Sequence, residues 1–335
     1  MNHTILDNLK IGLIGCGYWG KNLLRNFSKL GVLKSICDFS ESGRKLAEEL
    51  APNAIVYNKI DDLLNDSEIK GIVIATPAET HIEIAEKALR KNKDVFVEKP
   101  MALNVHDAIQ MKKIAEENGR ILMVGHLLEY HPAIERLKDL LAKGSLGKLN
   151  YIYSNRLNFG KIRTEENALS SFAPHDVAVI LRLAGELPRE VTCSGGSFIT
   201  PDLADVTVSC LNFHSGIKAH IFVSWLNPFK EQKLVLMGED KMAVFNDVSI
   251  DEKLAIFNQK VHVIDNTPVL NRRDKTVEKL PDAEPLYQEC KHFLECIKNR
   301  VEPLSDAQSG IDVLKVLEAC QHSLENNGKA VHIQT

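Results

Sequence analysis

The stretch KIGLIGCGYWG, residues 10–20, decides the fold of the first part of this 335-residue chain. It begins with a short apolar run, which is typical of a strand that is buried in a parallel sheet. Three glycines follow, and beyond them apolar residues recur at helical spacing until Gly31. A glycine at the end of such a periodic stretch is a common helix stop. The stretch therefore predicts a strand, a tight turn and a helix in immediate succession.

The three glycines have the spacing G-x-G-x-x-G, which in this setting predicts a dinucleotide site. Gly15 is expected to make the turn, Gly17 to let the backbone approach a pyrophosphate, and Gly20 to allow close helix–strand contact. The helix N-terminus would offer unpaired N–H groups and about half a unit of positive charge to the phosphates. Asp38 ends the next apolar run, where its carboxylate would bind the adenosine ribose and repel a 2′-phosphate. The predicted cofactor is NAD rather than NADP, although the nearby Arg44 could offset part of that repulsion.

Short apolar strands alternate with helical segments up to about residue 128. After the first strand, further strands are predicted over residues 32–37, 72–75, 94–97 and 121–125. Helical periodicity separates them over residues 41–50, 80–90 and 104–117. Strands that alternate with helices form parallel sheets, and right-handed crossovers make such a sheet doubly wound. Residues 1–128 are therefore predicted to form an NAD-binding α/β domain.

The pattern changes after about residue 128. One helix is predicted over residues 133–142, and alternating apolar and polar runs then follow, separated by short turn signals. The predicted strands are 149–155, 205–213, 218–224, 233–237 and 241–245, and helices over 286–297 and 311–324 close the chain. Residues 258–280 are polar and have no clear pattern. Residues 129–335 are therefore predicted to form a second α/β domain with a large, open, mostly antiparallel sheet, whose closing helices could pack back on the first domain.

Composition and charge exclude several classes of protein. Hydrophobic residues make up 44% of the chain and charged residues 26%, which is the range of an ordinary globular protein. The formal net charge of −4 disfavours a non-specific nucleic-acid binder, and no apolar run approaches the roughly 20 residues that span a bilayer. The seven cysteines are scattered without a CxxC pair, and residues 1–15 do not resemble a secretion signal. These features predict a cytoplasmic enzyme with reduced thiols and without nucleic-acid or membrane partners.

Two further motifs stand where predicted strands end, which is where ligands bind in open α/β sheets. The Ala-Thr-Pro turn at residues 75–77 is expected to flank the cofactor. Glu98-Lys99-Pro100 follows the strand after it. Lys99 could hold a substrate hydroxyl and share its proton, since partial desolvation lowers a lysine pKa toward the working range. A surface lysine is the alternative, and no metal site is predicted.

The motifs, taken in order, resemble those of the Gfo/Idh/MocA oxidoreductases. They are the glycine turn, Asp38, Ala75-Thr76-Pro77 with Thr80 and His81, Glu98-Lys99-Pro100, and Ala173-Pro174-His175-Asp176. The resemblance runs over about residues 10–323 and implies an N-terminal Rossmann domain with a tightly bound nicotinamide cofactor. It also implies a C-terminal α/β domain for substrate binding and oligomer contacts, a dimer or tetramer, and a Lys99–Pro100 peptide that is often cis.

By this resemblance Lys99 and His175 are the two catalytic residues that handle protons. A histidine suits the role because its unperturbed pKa lies near neutrality. Many relatives carry an aspartate four residues before this histidine, where this chain has Ser171, so that Asp176 or a water would have to orient Lys99 instead. The residues expected to contact the cofactor are Gly15, Gly17, Tyr18, Trp19, Gly20, Asp38, Ala75, Thr76, Pro77, His81, Glu98 and Lys99.

Within the family the chain is similar to NAD-dependent sugar-nucleotide 3-dehydrogenases, on the stretches GHLLEYHP at 125–132 and RLNFGKIRTEEN at 156–167. The second stretch holds Arg156, Lys161 and Arg163, which would suit a diphosphate because arginine binds phosphate bidentately. A solvated charged loop is the alternative. The residues expected to contact the substrate are Lys99, Tyr130, Arg156, Asn158, Arg163, Asn167, Ser171 and His175.

The predicted reaction oxidises the C3 hydroxyl of a UDP-N-acetylhexosamine to a 3-keto sugar nucleotide, with the hydride passing to the nicotinamide. The product would feed a transaminase that makes 3-amino sugars for surface glycans or lipid A. A UDP-N-acetylglucosaminuronate 3-dehydrogenase and a dehydrogenase of a free sugar or inositol are close alternatives. A redox-neutral NAD-dependent lyase or hydrolase and a non-catalytic NAD-dependent regulator are alternatives from other classes.

Overall fold

The computed structural model describes residues 9–334, which fall into two compact units. The first unit holds the chain up to Tyr130 together with Ala283–Ile311. The second unit holds His131–Asp282 and the chain from Asp312 onward. Residues 1–8 lie outside the described residues. They belong to the stretch 1–15, which does not resemble a secretion signal in the sequence.

The helices and strands of the described residues have the following bounds. The helices are α1 (Gly20–Lys29), α2 (Glu41–Leu50), α3 (Ile60–Leu64), α4 (His81–Arg90), α5 (Val105–Glu117), α6 (Pro132–Ala142), α7 (Ala168–Ala184), α8 (Pro285–Asn299) and α9 (Ala307–Glu325). The strands are β1 (Lys10–Ile14), β2 (Leu33–Cys37), β3 (Ile55–Tyr57), β4 (Ile69–Ile74), β5 (Asp94–Glu98), β6 (Leu122–Gly125), β7 (Leu149–Phe159), β8 (Pro188–Gly196), β9 (Val206–Phe213), β10 (Lys218–Ser224), β11 (Leu226–Gly238), β12 (Met242–Asn246), β13 (Leu254–Ile264), β14 (Thr267–Val277) and β15 (Val331–His332).

The first unit is built on a parallel six-stranded sheet with the order β3-β2-β1-β4-β5-β6. The order reverses between β1 and β4, and ligands of open α/β sheets bind at the carboxyl ends of strands at such a point. Phe96 of β5 packs against Phe27 of α1 and Phe293 of α8, with ring centroids 6.5 and 5.7 Å away. The predicted doubly wound sheet is confirmed. The short β3 and α3 have too few residues for a periodic pattern and are not predicted.

The second unit is built on a nine-stranded sheet with the order β14-β13-β12-β11-β7-β10-β9-β8-β15. Among the strand pairs that are described for this second sheet, β7 and β10 run parallel to each other and all other pairs are antiparallel. Helix α7 packs against β7 and β10. The predicted large and mostly antiparallel sheet is confirmed.

Several segments of the second unit differ from the sequence prediction, and β8 and β15 are among the strands that it does not include. The sequence predicts no helix around His175, whereas the residue lies inside α7, one position after Pro174. Proline lacks the N–H that a helix interior needs, which hides this helix from pattern reasoning. Residues 258–280, which lack a clear pattern, hold most of the hairpin β13–β14, whose outer half is exposed on both faces. Side chains that are exposed on both faces give no alternation for a strand prediction to use.

Candidate active site

The glycine turn between β1 and α1 is shaped by the carbonyl groups around it. Gly15 has φ +95°, and a Cβ on it would lie 2.6 Å from the carbonyl oxygen of Ala75. A Cβ on Gly20 would lie 2.1 Å from the carbonyl oxygen of Gly15. Around Gly17, by contrast, no described heavy atom lies within 4 Å of a Cβ position, and the first turn of α1 has no acidic residue. The open backbone at Gly17 and the helix N-terminus beside it therefore fit a dinucleotide pyrophosphate.

Asp38 follows β2, and its carboxylate is held by donors on both oxygens. Oδ2 accepts from the Cys16 N–H at 2.6 Å, and Oδ1 accepts from the N–H and the hydroxyl of Ser40 at 2.8 and 2.7 Å. Arg44 donates to the carbonyl oxygens of Asp38 and Phe39 at 3.0 and 2.9 Å. Each carboxylate oxygen keeps lone pairs for the ribose hydroxyls. Asp38 is half-buried, so the carboxylate can reach a ligand.

His81 is buried and joins two loops at the carboxyl edge of the first sheet. Its Nδ1 lies 2.9 Å from the carbonyl oxygen of Pro100, and its Nε2 lies 2.9 Å from that of Thr76. The side chain is only 1% exposed, and burial lowers its pKa. Thr76 is further tied to Thr80 by a hydroxyl–hydroxyl bond of 2.7 Å. The sequence predicts that His81 contacts the cofactor, and the structure has its ring nitrogens against these two loops.

Glu98 and Lys99 stand at the end of β5, and the Lys99–Pro100 peptide is cis. The Glu98 carboxylate accepts from the indole N–H of Trp19 at 2.5 Å and from the Lys99 N–H at 3.2 Å. Burial raises the pKa of Glu98 to about 7, against the opposing effects of the Trp19 bond and the Lys99 charge. Trp19 therefore joins the glycine turn to the Glu98-Lys99-Pro100 loop, while Tyr18 is 87% exposed.

His126 follows β6, the neighbour of β5 in the sheet, and sequence reasoning missed its position. Glu98 pairs with Gly125 at the end of the strand register, Lys99 and His126 are the next residues of the two chains, and the Lys99 charge acts on His126. Among the described residues, neither ring nitrogen of the buried His126 has a hydrogen-bond partner. Burial and the Lys99 charge lower its pKa to about 4, so the ring is neutral at neutral pH. The sequence gives His126 no more than a packing or pocket role, because burial cannot be read from a single histidine.

A second buried group that pattern reasoning missed is Glu289 of α8. Its carboxylate is 0% exposed and has no hydrogen-bond partner among the described residues. Burial, and then the negative charges of Glu98 and Glu129, raise its pKa well above the usual range. The nearby Tyr130, a predicted substrate ligand, is buried with its hydroxyl 3.0 Å from that of Ser305.

The second unit holds Ser171 and His175 one turn apart on α7, where Ser171 is buried and His175 half-buried. The following Asp176 forms a buried ion pair with Arg156 of β7, with Nε–Oδ2 and Nη2–Oδ1 distances of 2.6 and 3.1 Å. Asp176 also accepts from the Ser154 hydroxyl at 2.5 Å. Both carboxylate oxygens of Asp176 are thus engaged within its own unit.

The other predicted substrate residues lie in the segment before α7. Asn167 caps α7 by accepting from the Ser170 N–H at 3.0 Å, and its amide donates to Gln321 at 2.8 Å. Arg163 pairs with Glu166 at 3.1 Å. Asn158 is half-buried on β7 and Lys161 is exposed. Of the three cations predicted for a diphosphate, Arg156 and Arg163 therefore have acidic partners already.

None of the helices within residues 9–334 combines the length and the apolar character that crossing a membrane requires. Within the same residues, no three His, Cys, Asp or Glu side chains come together as a metal site would need.

Family models match both parts of the chain. Residues 9–126 match the model described as an oxidoreductase family with an NAD-binding Rossmann fold, and residues 134–244 match the GFO/IDH/MocA C-terminal domain. The chain belongs to the Gfo/Idh/MocA oxidoreductase family. The predicted family, the enzyme class and the NAD cofactor are thereby confirmed.

Relatives with different activities are similar to this chain. The UDP-N-acetylglucosamine 3-dehydrogenase of Acidithiobacillus ferrooxidans is 25% identical over 309 residues, which cover 92% of this chain and 94% of that protein. Its solved structure superposes with a TM-score of 0.84 at 23% identity, covering 95% of this chain and 98% of that one. The 2,7-anhydro-N-acetylneuraminate hydratase of Escherichia coli K12 is 28% identical over 199 residues, which cover 56% of this chain and 53% of that protein. Several of the similar curated proteins are, like the hydratase, matched over only about half of their own length.

Proposed function

We propose that this oxidoreductase oxidises the C3 hydroxyl of a UDP-N-acetylhexosamine with NAD and releases a 3-keto sugar nucleotide. The observation that carries the proposal is the similarity to a UDP-N-acetylglucosamine 3-dehydrogenase over 92% of this chain and 94% of that protein. A match of this extent includes both the NAD-binding domain and the domain that is expected to select the substrate. The motif residues Asp38, Lys99 and His175 support the same reaction type.

The proposed roles of the residues follow from their surroundings. The amides around Gly17 bind the pyrophosphate, and Asp38 binds the adenosine ribose. Bound NAD supplies the hydride acceptor. Lys99 holds the reacting hydroxyl, whose proton passes either through Lys99 or to His175. A histidine suits this role because it changes charge near neutral pH. The neutral His126 beside Lys99 leaves the lysine without a second positive charge there.

The charge pattern limits how a diphosphate would be held. Arg156 is paired with Asp176, and Arg163 with Glu166. A paired arginine keeps free N–H donors but has lost most of its attraction for a distant anion. The exposed Lys161 would therefore supply the main attraction, and the arginines would supply directed hydrogen bonds.

The substrate is tested by incubating the purified protein with NAD and one candidate at a time. The panel is UDP-N-acetylglucosamine, UDP-N-acetylgalactosamine, UDP-N-acetylglucosaminuronate, free N-acetylglucosamine and myo-inositol. NADH fluorescence should rise with a UDP-N-acetylhexosamine, and mass spectrometry should find a product lighter by two hydrogens. NADH formation with a free sugar or inositol alone would contradict the proposal.

The role of Lys99 is tested by Lys99→Met. Turnover is expected to fall by about two to four orders of magnitude, which is the usual contribution of a positioned proton-transfer group. NAD affinity, measured by titration without substrate, should change much less. Lys113→Met on α5 is the matched control, because Lys113 is exposed and its distance of 3.8 Å to Glu117 makes only a weak surface pair. Wild-type turnover in Lys99→Met would remove Lys99 from the reaction.

A redox-neutral reaction is the second candidate, and the similarity to a hydratase over 56% of this chain favours it. In that case NAD would be reduced and reoxidised within each turnover. The same panel separates the two, because product would then accumulate without net NADH. The anhydro sugar 2,7-anhydro-N-acetylneuraminate should be added to the panel for this purpose.

A further inference from the structure

Gly43 lies in the first turn of α2, next to the carboxylate of Asp38. A Cβ built on Gly43 would lie 2.3 Å from Cγ, 2.4 Å from Oδ1 and 2.5 Å from Oδ2 of Asp38. Non-bonded carbon and oxygen atoms do not approach a real Cβ so closely. The Asp38 carboxylate therefore occupies the space that any other residue at position 43 would need for its side chain.

The carboxylate is held in this space by groups that surround it. The Cys16 N–H donates to Oδ2, and Ser40 donates twice to Oδ1. The Ser40 hydroxyl oxygen in turn accepts from the Gly43 N–H at 3.0 Å, which caps α2. Asp38, Ser40 and Gly43 are thus joined by one chain of hydrogen bonds. A glycine inside a helix is unfavourable relative to alanine, so its presence here has a cost that the position of Asp38 explains.

We propose that Gly43 is a cofactor-specificity residue, because its missing side chain lets Asp38 present a carboxylate to the adenosine ribose and so selects NAD over NADP. The inference rests on the proposed ribose contact of Asp38. A side chain at position 43 would rotate the Asp38 carboxylate away and break its bond to the Cys16 amide. The ribose hydroxyls would lose their acceptor, and a 2′-phosphate would meet less negative charge.

The test is Gly43→Ala, with NAD and NADP affinities measured by calorimetric titration without substrate. The Kd for NAD should rise about tenfold, in the range of a lost charge-assisted hydrogen bond. The Kd for NADP should stay or fall, so that the preference for NAD drops by at least about tenfold. The melting temperature of the cofactor-free protein should stay near that of the wild type, because alanine is the better helix former. Glu48→Ala, on an exposed position of the same helix, is the matched control and should leave both affinities unchanged.

A double-mutant cycle shows whether Gly43 acts through Asp38. Asp38→Ala alone should weaken NAD binding, and Gly43→Ala added to it should have no further effect, because the space is then empty. A Gly43→Ala effect of full size in the Asp38→Ala background would overturn the proposal. So would wild-type NAD affinity in Gly43→Ala.

Three outcomes concern folding and the underlying role of Asp38. If Gly43→Ala alone fails to fold, the Asp38→Ala/Gly43→Ala double variant should fold, and its failure to do so would also overturn the proposal. If Asp38→Ala leaves the affinities for NAD and NADP unchanged, the proposed ribose contact of Asp38 is wrong and the inference ends with it. A loss of preference in Asp38→Ala with none in Gly43→Ala would leave the Asp38 role intact and remove only that of Gly43.

Discussion

His81 contacts the backbone of two loops at the edge of the sheet where the cofactor site is proposed. Its two ring nitrogens each lie 2.9 Å from a carbonyl oxygen, one in the loop after β4 and one in the loop after β5. Both loops stand at the edge of the sheet where the NAD site is proposed. The buried ring therefore fixes the distance between Thr76 and Pro100, and with it the position of Lys99.

His81→Phe should loosen this connection while it keeps a ring of similar size. The free energy of unfolding is expected to fall by about 1–3 kcal/mol, because one of the two part-buried carbonyl oxygens loses the N–H that the neutral ring donates. The Kd for NAD should rise severalfold, since the loops are less ordered before binding. Urea unfolding and calorimetric titration measure the two effects. His106→Phe, at an exposed position of α5, is the control, and equal behaviour of both variants would speak against the connecting role.

The residues with strong local signals could be predicted from the sequence, and those defined by burial could not. Gly15 and Gly20 have positions that follow from spacing alone, and the structure gives each glycine a contact that excludes a side chain. His126 and Glu289 are buried polar groups without a partner among the described residues, and nothing in their sequence neighbours indicates it. Burial arises from contacts between distant segments, which a single sequence does not display.

Helix α7 and strand β7 are joined by a buried ion pair rather than by apolar contacts alone. Arg156 and Asp176 have side chains that are 14% and 5% exposed, and the pair includes the Ser154 hydroxyl. When both members of an ion pair are buried, their attraction offsets the loss of hydration. A buried charge without its partner destabilises the folded protein. The pair therefore ties the turn of α7 that carries His175 to the sheet of its own unit.

Asp176→Asn should destabilise the protein by about 3–5 kcal/mol, because it leaves the Arg156 charge buried and unbalanced. The double variant Arg156→Met/Asp176→Leu should lose much less, since neither charge remains. Urea unfolding measures both, and Glu165→Gln at an exposed pair should cost under about 1 kcal/mol. A double variant that is less stable than Asp176→Asn would contradict this account.

The elements themselves could be predicted where the apolar pattern is regular. The strands of the first sheet other than β3, and the mostly antiparallel character of the second sheet, follow from period and turn signals, and the structure confirms both. Helix α7 was hidden by Pro174 in its interior, and the hairpin β13–β14 by the exposure of its outer half on both faces. In α7 tertiary contacts override local preference, whereas the exposed half of the hairpin offers no alternation from which strands could be predicted.

The protein as a whole carries buried acids whose pKa values are raised, and this gives its stability a defined pH dependence. In the unfolded chain Glu98 and Glu289 ionise near their usual pKa of 4.5, whereas in the folded protein the pKa of Glu98 is about 7 and that of Glu289 is raised well above its usual range. The folded state therefore binds more protons above pH 4.5, and these groups make stability fall as pH rises. His126 acts in the opposite direction, because its pKa is lowered to about 4 and protonation in acid favours the unfolded chain.

Glu289→Gln should remove one of these contributions without changing the size of the side chain. The free energy of unfolding of the variant, relative to the wild type, should rise by about 1.4 kcal/mol per pH unit above pH 4.5, until the wild-type carboxyl ionises in the folded state. Urea unfolding between pH 5 and 8 measures the difference. Glu49→Gln at an exposed position of α2 should give a flat difference, and a flat result for Glu289→Gln would contradict its buried neutral state.

The predicted dimer or tetramer and the cytoplasmic location stay predictions.

The first unit is assembled from two stretches of chain, because α8 and its neighbours return to it at Ala283. Phe293 and Leu294 of α8 belong to the same buried core as Phe27 and Phe96. A ribosome that has finished β6 must therefore translate more than a hundred further codons before this core can be closed. During that interval the nascent sheet carries an uncovered apolar surface, which is the kind of surface that molecular chaperones bind. Protein shortened by a premature stop between His131 and Asp282 would lack α8 and keep that surface for its whole lifetime.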